Sequence, residues 1–252
     1  MKKFIQDFKV LQNKNLDQYF ILELQAPEPL PEIIPGQFVE ALIKNSPSTF
    51  LRRPFSIYDV KVKENTLSLF IKKVGEGTSE LSQIRVGESL NLVYPLGNGF
   101  SMPTEKDILF IGGGYGIAPF LYFSKCLSEK GIQTSILIGA RTKKDIQLEN
   151  ELKKYGQLFI STDDGSLGEK GLVTQHSILK NNFSKIFSCG PEPMMKAVAK
   201  LAKEKNIECE VSLENTMACG VGICLCCVTE TIHGNKCVCS EGPVFNIKEL
   251  KW

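Results

Sequence analysis

The sequence is short of several features on which common functions depend. Only two histidines occur among its 252 residues, which disfavours chemistry that needs several imidazole groups. The formal net charge is only +2 and no basic stripe is interleaved with aromatic residues, so we expect no nucleic-acid partner. No apolar run is long enough to span a bilayer, and the N-terminus lacks the apolar segment of a signal peptide. We therefore expect a cytoplasmic protein with no membrane partner.

Cysteine, by contrast, is abundant, and most of it lies near the end of the chain. Six of the nine cysteines lie close together there. Cys219, Cys224 and Cys227 have the C-x4-C-x2-C spacing that holds a [2Fe–2S] cluster in plant-type ferredoxins, with a fourth cysteine further on. Cys237 and Cys239 both follow. Because residues two apart share one face of a predicted strand, their spacing leaves the fourth ligand open.

Three other uses of cysteine compete with this interpretation. Disulfides need an oxidising compartment, which nothing in the sequence indicates. A structural zinc site usually has paired C-x2-C knuckles, and only one such pair is present. A lone cysteine in an apolar helix is often a small buried hydrophobe, the role we expect for Cys126. The density of thiols favours the cluster, and zinc remains the alternative.

The first part of the chain, residues 1–102, alternates short β-rich runs with turn signals, which predicts a β-barrel. Two polar insertions interrupt the runs. Leu51–Ile57 places Arg53 at the start of an apolar strand, where a guanidinium can bind a phosphate. Gly75–Leu81 offers free N–H groups at a helix start, which suit a pyrophosphate. Taken singly, a solvated edge arginine and an ordinary capped helix explain them as well.

Residues 103–213 switch to apolar strands alternating with helices, which predicts a parallel sheet covered on both faces. The first strand runs into a glycine-rich turn, Gly112–Pro119, at the sheet edge where dinucleotides bind. The motif is Gly-x-Gly-x-x-Pro, so a tight turn alone also explains it. Thr162–Ser166 follows the third strand, where a solvated turn is equally reasonable. No basic cluster made for a 2′-phosphate is evident, which favours NAD over NADP.

Three motifs resemble the ferredoxin–NADP⁺ reductase superfamily: Arg-Pro-Phe-Ser, Gly-Glu-Gly-Thr-Ser, and the Cys-Gly-Pro turn that opens a helix after the fourth strand. The resemblance implies that FAD is held at one set of positions and that the glycine-rich turn and its surroundings hold NAD. The FAD positions are Arg53, Pro54, Phe55, Ser56, Phe70, Ile71, Lys72, Gly77 and Thr78. The NAD positions are Gly112, Gly113, Gly114, Gly116, Ile117, Asp163, Cys189, Gly190 and Pro191.

Across nearly the whole chain, five motifs in order resemble the electron-transfer subunits of NAD-dependent (class 1B) dihydroorotate dehydrogenases. They are Leu51–Ile57, Thr162–Ser166, Cys189–Met194, Met217–Cys224 and Val238–Phe245. In that family the fourth cluster ligand directly precedes a Ser-Glu-Gly-Pro-Val-Phe-like run. The resemblance therefore implies a cluster segment, residues 214–252, with Cys226 and Cys237 as extra thiols. The implied ligands are Cys219, Cys224, Cys227 and Cys239.

The resemblance also implies a function in pyrimidine biosynthesis. Electrons would pass between an FMN-containing catalytic subunit and NAD through the [2Fe–2S] cluster and FAD, in a heterotetramer with two copies of each subunit. The hydride step requires no general acid or base, so we assign no catalytic residue. One alternative is the FAD/[2Fe–2S] subunit of an NADH-dependent ferredoxin:NADP oxidoreductase or of a sulfhydrogenase. The other is a zinc-stabilised nucleotide-binding module.

Overall fold

The computed structural model describes residues 2–44, 46 and 48–252, and the chain divides into two compact units. The first unit comprises Met1–Gly99, Asn215–Thr229 and Lys236–Pro243. The second comprises Phe100–Glu214, Glu230–Asn235 and Val244–Trp252. The boundaries expected from the sequence, 1–102, 103–213 and 214–252, remain predictions.

Six strands of the first unit form the expected closed barrel. They are β1 (Phe4–Leu16), β2 (Tyr19–Gln25), β3 (Phe38–Ala41), β4 (Arg53–Lys61), β5 (Thr66–Lys72) and β6 (Ser89–Leu96). Their order is β1-β2-β5-β4-β3-β6, and neighbouring strands run antiparallel. A short helix, α1 (Glu76–Leu81), follows β5. Closure pairs both outer strands and so leaves no free sheet edge.

Cross-strand leucine pairs form part of the barrel core. Leu22 lies opposite Leu69, and Leu24 lies opposite Leu67, in the β2–β5 register. All four side chains are fully buried. Burial of a leucine side chain stabilises a fold by about 2 kcal/mol relative to exposure. These pairs therefore help to fix the register that brings the two polar insertions to defined positions.

The second unit contains the expected parallel sheet. Its strands are β7 (Ile108–Gly113), β8 (Thr134–Ala140), β9 (Gly156–Thr162), β10 (Glu169–Lys170), β11 (Lys185–Cys189), β12 (Glu208–Ser212) and β15 (Val244–Asn246). The order is β10-β9-β8-β7-β11-β12-β15, and only β15 runs antiparallel to its neighbour. The helices are α2 (Ala118–Glu129), α3 (Glu149–Leu152) and α4 (Glu192–Glu204). The carboxyl ends of the parallel strands share one edge of this sheet.

A cluster of phenylalanines packs α2 against the sheet. Phe110 of β7 stacks on Phe120 of α2 with ring centroids 4.8 Å apart, and Phe123 lies 5.0 Å from Phe187 of β11. Phe100 stacks on Phe123 at 5.4 Å. Such pairs contribute about 0.5–1.5 kcal/mol each beyond their buried area. The cluster therefore holds the strand that leads into the glycine-rich turn.

The cysteine-rich end of the chain differs from the sequence-based expectation. Strands β13 (Val228–Thr231) and β14 (Gly234–Cys237) form the expected hairpin, but β14 ends at Cys237. Cys239 lies in a one-turn helix, α5 (Val238–Glu241), where Val238 N–H donates to the Cys227 carbonyl. The expectation that Cys237 and Cys239 share one strand face is therefore wrong. Within the described residues, no helix is long and apolar enough to cross a membrane.

Candidate functional site

Backbone N–H groups surround the sulfur atoms of the cysteine loop. Val221 and Ile223 each donate to Cys219 Sγ at 3.4 Å, and Gly222 donates to Cys239 Sγ at 3.2 Å. Gly222 has φ 84°, a left-handed conformation that lets the loop curl around the sulfurs with little steric cost. Hydrogen bonds of this kind stabilise thiolates, the form in which cysteine binds iron.

The four expected ligands lie in two pairs. The Cys219 and Cys224 side chains form a hydrogen bond, and so do the Cys239 and Cys227 side chains. All four are free thiols. A [2Fe–2S] cluster has two irons held by four thiolates, and two sulfur pairs suit that arrangement. Among the residues described, no group of three or more His, Cys, Asp or Glu side chains is arranged around a single metal ion. The donor set fits a two-iron cluster.

The protonation of these thiols depends on the same contacts. Burial alone would raise the pKa of Cys219, but N–H donors from Cys224, Val221 and Ile223 lower it to about 6. Burial and the hydrogen bond to Cys227 raise the pKa of Cys239 to about 12. Metal binding at the second pair therefore has to displace a proton.

The structure distinguishes the two extra thiols from each other. Cys226 is exposed. Cys237 is buried, and its pKa is raised by burial and then by the nearby charges of Cys227 and Glu241. Exposure does not separate Cys226 from the expected ligands, because Cys224 is exposed too, whereas Cys237 lies beside the interacting sulfurs Cys227 and Cys219.

A buried carboxyl group, Glu40 on β3, was not anticipated from the sequence. Its side chain is fully buried, and neither carboxylate oxygen has a hydrogen-bond partner. A Cβ built on Gly220 would lie 2.8 Å from Glu40 Cγ, so the cysteine loop packs directly on this residue. Burial raises the pKa of Glu40 to about 7, although nearby Arg52 opposes the rise. In the β3–β4 register, Glu40 lies opposite Pro54 of the expected flavin motif.

The two adjacent arginines of that motif have different roles. Arg52 Nη1 donates to the carbonyls of Glu40 and Asn91 at 3.2 Å each, so its guanidinium ties strands together. Arg53 Nη1 donates to the Leu51 carbonyl at 3.0 Å within its own loop. Arg53 to Ser56 are four successive half-buried residues at the start of β4. This accessible stretch is the part of the motif that can meet a ligand.

The remaining expected FAD positions lie on β5 and α1. Phe70 and Ile71 are buried in the barrel core, where Phe70 stacks on Tyr19 at 5.3 Å, whereas Lys72 is half-buried. Thr78 Oγ1 accepts from the backbone N–H groups of residues 74 and 75 and so caps α1. A Cβ on Gly77 would lie 2.9 Å from Thr49 Cγ2, so a larger side chain would clash at this position.

The glycine-rich turn and the Cys-Gly-Pro turn interlock at the carboxyl ends of β7 and β11, which are neighbours in the sheet. A Cβ on Gly113 would lie 2.7 Å from Pro191 Cδ, and one on Gly116 would lie 2.5 Å from the Cys189 carbonyl oxygen. A Cβ on Gly112 would lie 2.6 Å from Ile117 Cδ1, and one on Gly190 would lie 2.9 Å from Gly113 Cα. Gly114, at φ 55°, has nothing within 4 Å and forms the open tip of the turn.

Two further residues join Cys189 at this edge and were missed by sequence reasoning. Cys189 Sγ is buried 4.0 Å from Glu214 Oε1, and Tyr115 Oη donates to Glu214 Oε2 at 3.3 Å. Burial and the Glu214 charge raise the pKa of Cys189 well above its usual range. Cys189 is therefore a neutral thiol. Glu214 keeps solvent access, yet the surrounding protein displaces enough water to raise its pKa.

Asp163 lies in the turn after β9, beside the turn that follows β8. Asp163 N–H donates to the Ala140 carbonyl at 3.0 Å, and Lys143 N–H donates to Ser166 Oγ at 2.8 Å. Arg141 and Lys143, which are exposed, therefore lie in the turn next to that of Asp163. The expectation that no basic cluster is made for a 2′-phosphate here, which favours NAD over NADP, stays a prediction.

The barrel, the parallel sheet and the cysteine loop together define a ferredoxin reductase-like oxidoreductase with an added iron–sulfur segment. A family model described as "Oxidoreductase NAD-binding domain" matches residues 110–200. The solved NADH-dependent reduced ferredoxin-NADP oxidoreductase has a TM-score of 0.88, with 30% identity, and the alignment covers 97% of this chain and 90% of that one. The ferredoxin reductase of carbazole 1,9a-dioxygenase, at 21% identity and TM-score 0.70, shows the same fold.

More specifically, residues 214–251 match the model "Iron-sulfur cluster binding domain of dihydroorotate dehydrogenase B". The electron transfer subunit of dihydroorotate dehydrogenase B (NAD(+)) from Fusobacterium nucleatum is 39% identical over 229 residues, 86% of each chain. That of Desulforamulus reducens is 35% identical over 244 residues, 92% of each chain. This chain belongs to the family of dihydroorotate dehydrogenase B electron transfer subunits. The resemblance drawn from its motifs is confirmed, as are the oxidoreductase class and the cofactor set of FAD, an iron–sulfur cluster and NAD.

Proposed function

We propose that this chain passes electrons between an FMN-containing dihydroorotate dehydrogenase catalytic subunit and NAD, through a [2Fe–2S] cluster and FAD. The names of its relatives support the partner and the substrate. One structural observation carries the proposal. The cysteine loop packs at Gly220 onto Glu40, whose register partner is Pro54 of the flavin motif. The groups suited to iron and to flavin therefore lie together in the first unit.

In this mechanism the cofactors supply the redox chemistry, because a flavin exchanges single electrons with iron and a hydride with a nicotinamide. The protein binds and positions them. Cys219, Cys224, Cys227 and Cys239 would hold the iron, and the loop N–H groups would stabilise the thiolates of Cys219 and Cys239.

The FAD site is assigned to the first unit. Arg53 binds a phosphate of FAD, and Pro54, Phe55 and Ser56 border the flavin. Gly77 and Thr78 bring the start of α1 to the pyrophosphate, and β5 supports the site through Phe70, Ile71 and Lys72.

The interlocked glycine-rich and Cys-Gly-Pro turns, at the carboxyl ends of β7 and β11, bind NAD. Gly114 lies at the open tip, and Gly112, Gly113, Gly116, Ile117, Gly190 and Pro191 give the turns their close approach. Cys189 offers a neutral thiol to the nicotinamide, and Asp163 serves the adenosine end. We propose that the complex is a cytoplasmic heterotetramer and that the domain limits lie at 102/103 and 213/214.

Anaerobic purification of the complex tests this function. We expect about two irons and one FAD for each copy of this chain, an associated FMN protein, and reduction of NAD⁺ by dihydroorotate. Absence of that reduction in a flavin-replete complex contradicts the proposal.

A second candidate rests on the 0.88 TM-score to the NADH-dependent reduced ferredoxin-NADP oxidoreductase structure. In that case the associated subunit exchanges electrons with ferredoxin and does not oxidise dihydroorotate. Identifying the copurifying protein separates the two candidates.

A further inference from the structure

Phe50, in the loop that leads into β4, has an unusual environment for a phenylalanine of this chain. Its side chain is 83% exposed, whereas every other phenylalanine is buried or half-buried. Single exposed apolar side chains are common at protein surfaces, so exposure alone indicates no ligand. The position of Phe50 relative to the assigned FAD residues decides what its ring can do.

The residues that precede Phe50 are fastened to the first turn of α1. Ser48 Oγ donates to Glu76 Oε2. The Thr49 side chain is buried, and its Cγ2 lies 2.9 Å from the place of a Cβ on Gly77. Phe50 is the next residue along the chain. Its ring is therefore held within side-chain reach of the turn that carries Gly77, which the proposed function assigns to the pyrophosphate of FAD.

Phe50 also lies close to the second assigned phosphate contact. It stands three residues before Arg53, which begins β4 and is assigned to a phosphate of FAD. The flavin is assigned to Pro54, Phe55 and Ser56, which follow Arg53 on the same strand. Along the chain, Arg53 thus separates Phe50 from the flavin positions. Phe50 therefore lies on the side of the phosphates that faces away from the flavin along this segment.

The part of FAD beyond its phosphates is adenosine, whose base is a flat aromatic ring. Nucleobases stack on exposed aromatic side chains, and the stack requires no hydrogen-bond pattern from the protein. Phe50 offers such a ring without a large conformational cost, because a phenylalanine side chain has only two rotatable bonds and its neighbour Thr49 is packed in place. An exposed ring beside the phosphate contacts therefore suits the adenine of FAD.

We propose that Phe50 stacks on the adenine ring of FAD and makes the flavin site of this chain selective for FAD over FMN. Selectivity is useful here because the proposed catalytic partner holds FMN, so one complex has to keep two different flavins at two sites. The inference rests on the proposed assignment of FAD to the first unit. It deepens that assignment by naming the residue that recognises the adenosine half.

FAD and FMN share the flavin, the ribityl chain and the first phosphate, so the ratio of their affinities tests the inference. The full-length chain is freed of flavin and titrated with each flavin, and binding is followed by flavin fluorescence. Phe50→Ala should weaken FAD binding about five- to 150-fold, the scale of one base–aromatic stack, and should change FMN binding by less than about twofold. Phe50→Tyr keeps the ring and should retain the wild-type ratio. Because Phe50 is exposed, both variants are expected to fold.

Val62→Ala is the control for loss of an exposed apolar side chain. Val62 is also mostly exposed, and it follows the last residue of β4, at the opposite end of that strand from Arg53. Its loss should leave both affinities unchanged. An unchanged ratio in Phe50→Ala, an equal loss of FAD and FMN affinity in that variant, or a Phe50→Tyr variant that behaves like Phe50→Ala overturns the inference.

The same titrations on Arg53→Ala separate two kinds of failure. If Arg53→Ala weakens FAD binding and Phe50→Ala does not, the assigned FAD site stands and the inference about Phe50 fails alone. If the wild-type chain binds neither FAD nor FMN, the proposed function fails, and the inference fails with it.

Discussion

Replacing Glu40 by glutamine should stabilise the iron-free chain at neutral and alkaline pH. Glu40 is fully buried with neither oxygen hydrogen-bonded, and burial raises its pKa from 4.5 to about 7. At about 1.4 kcal/mol per pKa unit, a difference of this size corresponds to about 3 kcal/mol. Because the side chain is fully buried, solvent screening does not reduce this value much.

The sign follows from proton binding. Below pH 4.5 the carboxyl is protonated in both the folded and the unfolded chain, and it imposes no penalty. Between pH 4.5 and 7 the folded chain keeps the proton that the unfolded chain has lost, so stability falls as pH rises. Above pH 7 the full penalty applies. The advantage of Glu40→Gln should therefore grow by about 3 kcal/mol from pH 4.5 to pH 8.

Urea denaturation of the iron-free variant and wild type at several pH values measures this difference. Glu210→Gln is the control and should lower the free energy of unfolding instead of raising it. Buried Glu210 pairs with Lys185 at 2.7 Å and accepts from Ser101 N–H at 3.0 Å. Its loss should destabilise the chain by about 1.5–3 kcal/mol, because the hydrogen bonds from half-buried Lys185 and from Ser101 lose their charged acceptor. A pH-independent difference between Glu40→Gln and wild type would refute the reasoning.

Three further predictions concern the candidate site. Cys226→Ser should keep the iron and sulfide content and the visible spectrum of the wild type, whereas Cys219→Ser should lose them; iron loss from the first variant contradicts the ligand assignment. Gly116→Ala should destabilise the second unit by about 1–3 kcal/mol in urea denaturation, because its Cβ would lie 2.5 Å from a backbone carbonyl. Gly75→Ala, with nothing within 4 Å, should change stability little, and equal effects would refute this steric account. Arg53→Ala should weaken FAD binding by about tenfold or more in fluorescence titration, through loss of a charged hydrogen bond; unchanged affinity would remove Arg53 from the site.

Local sequence patterns predicted the regular strands and helices because the residues that form each pattern are the ones that form the element. The apolar run of β7 is buried along its whole length and lies in the middle of the parallel sheet, as a continuous hydrophobic strand requires. The spacing of Cys219, Cys224 and Cys227 also reflects local geometry, since one loop must present all three sulfurs.

Features that depend on tertiary contacts were not accessible from local patterns. The end of β14 at Cys237 depends on the hydrogen bond from Val238 N–H to the Cys227 carbonyl. Glu40 is buried on a strand with no exposed face because the cysteine loop covers it, and that loop lies far along the chain. Arg141 meets the turn of Asp163 only through the pairing of β8 with β9.

The optical spectrum of the anaerobically purified chain during titration with NADH tests the central claim most directly. The account predicts a coloured protein in which NADH bleaches both the flavin and the iron–sulfur absorbance, because both cofactors lie on one electron path. A colourless protein that contains zinc and no iron, or a cluster absorbance that NADH leaves unchanged while the flavin is reduced, would contradict it.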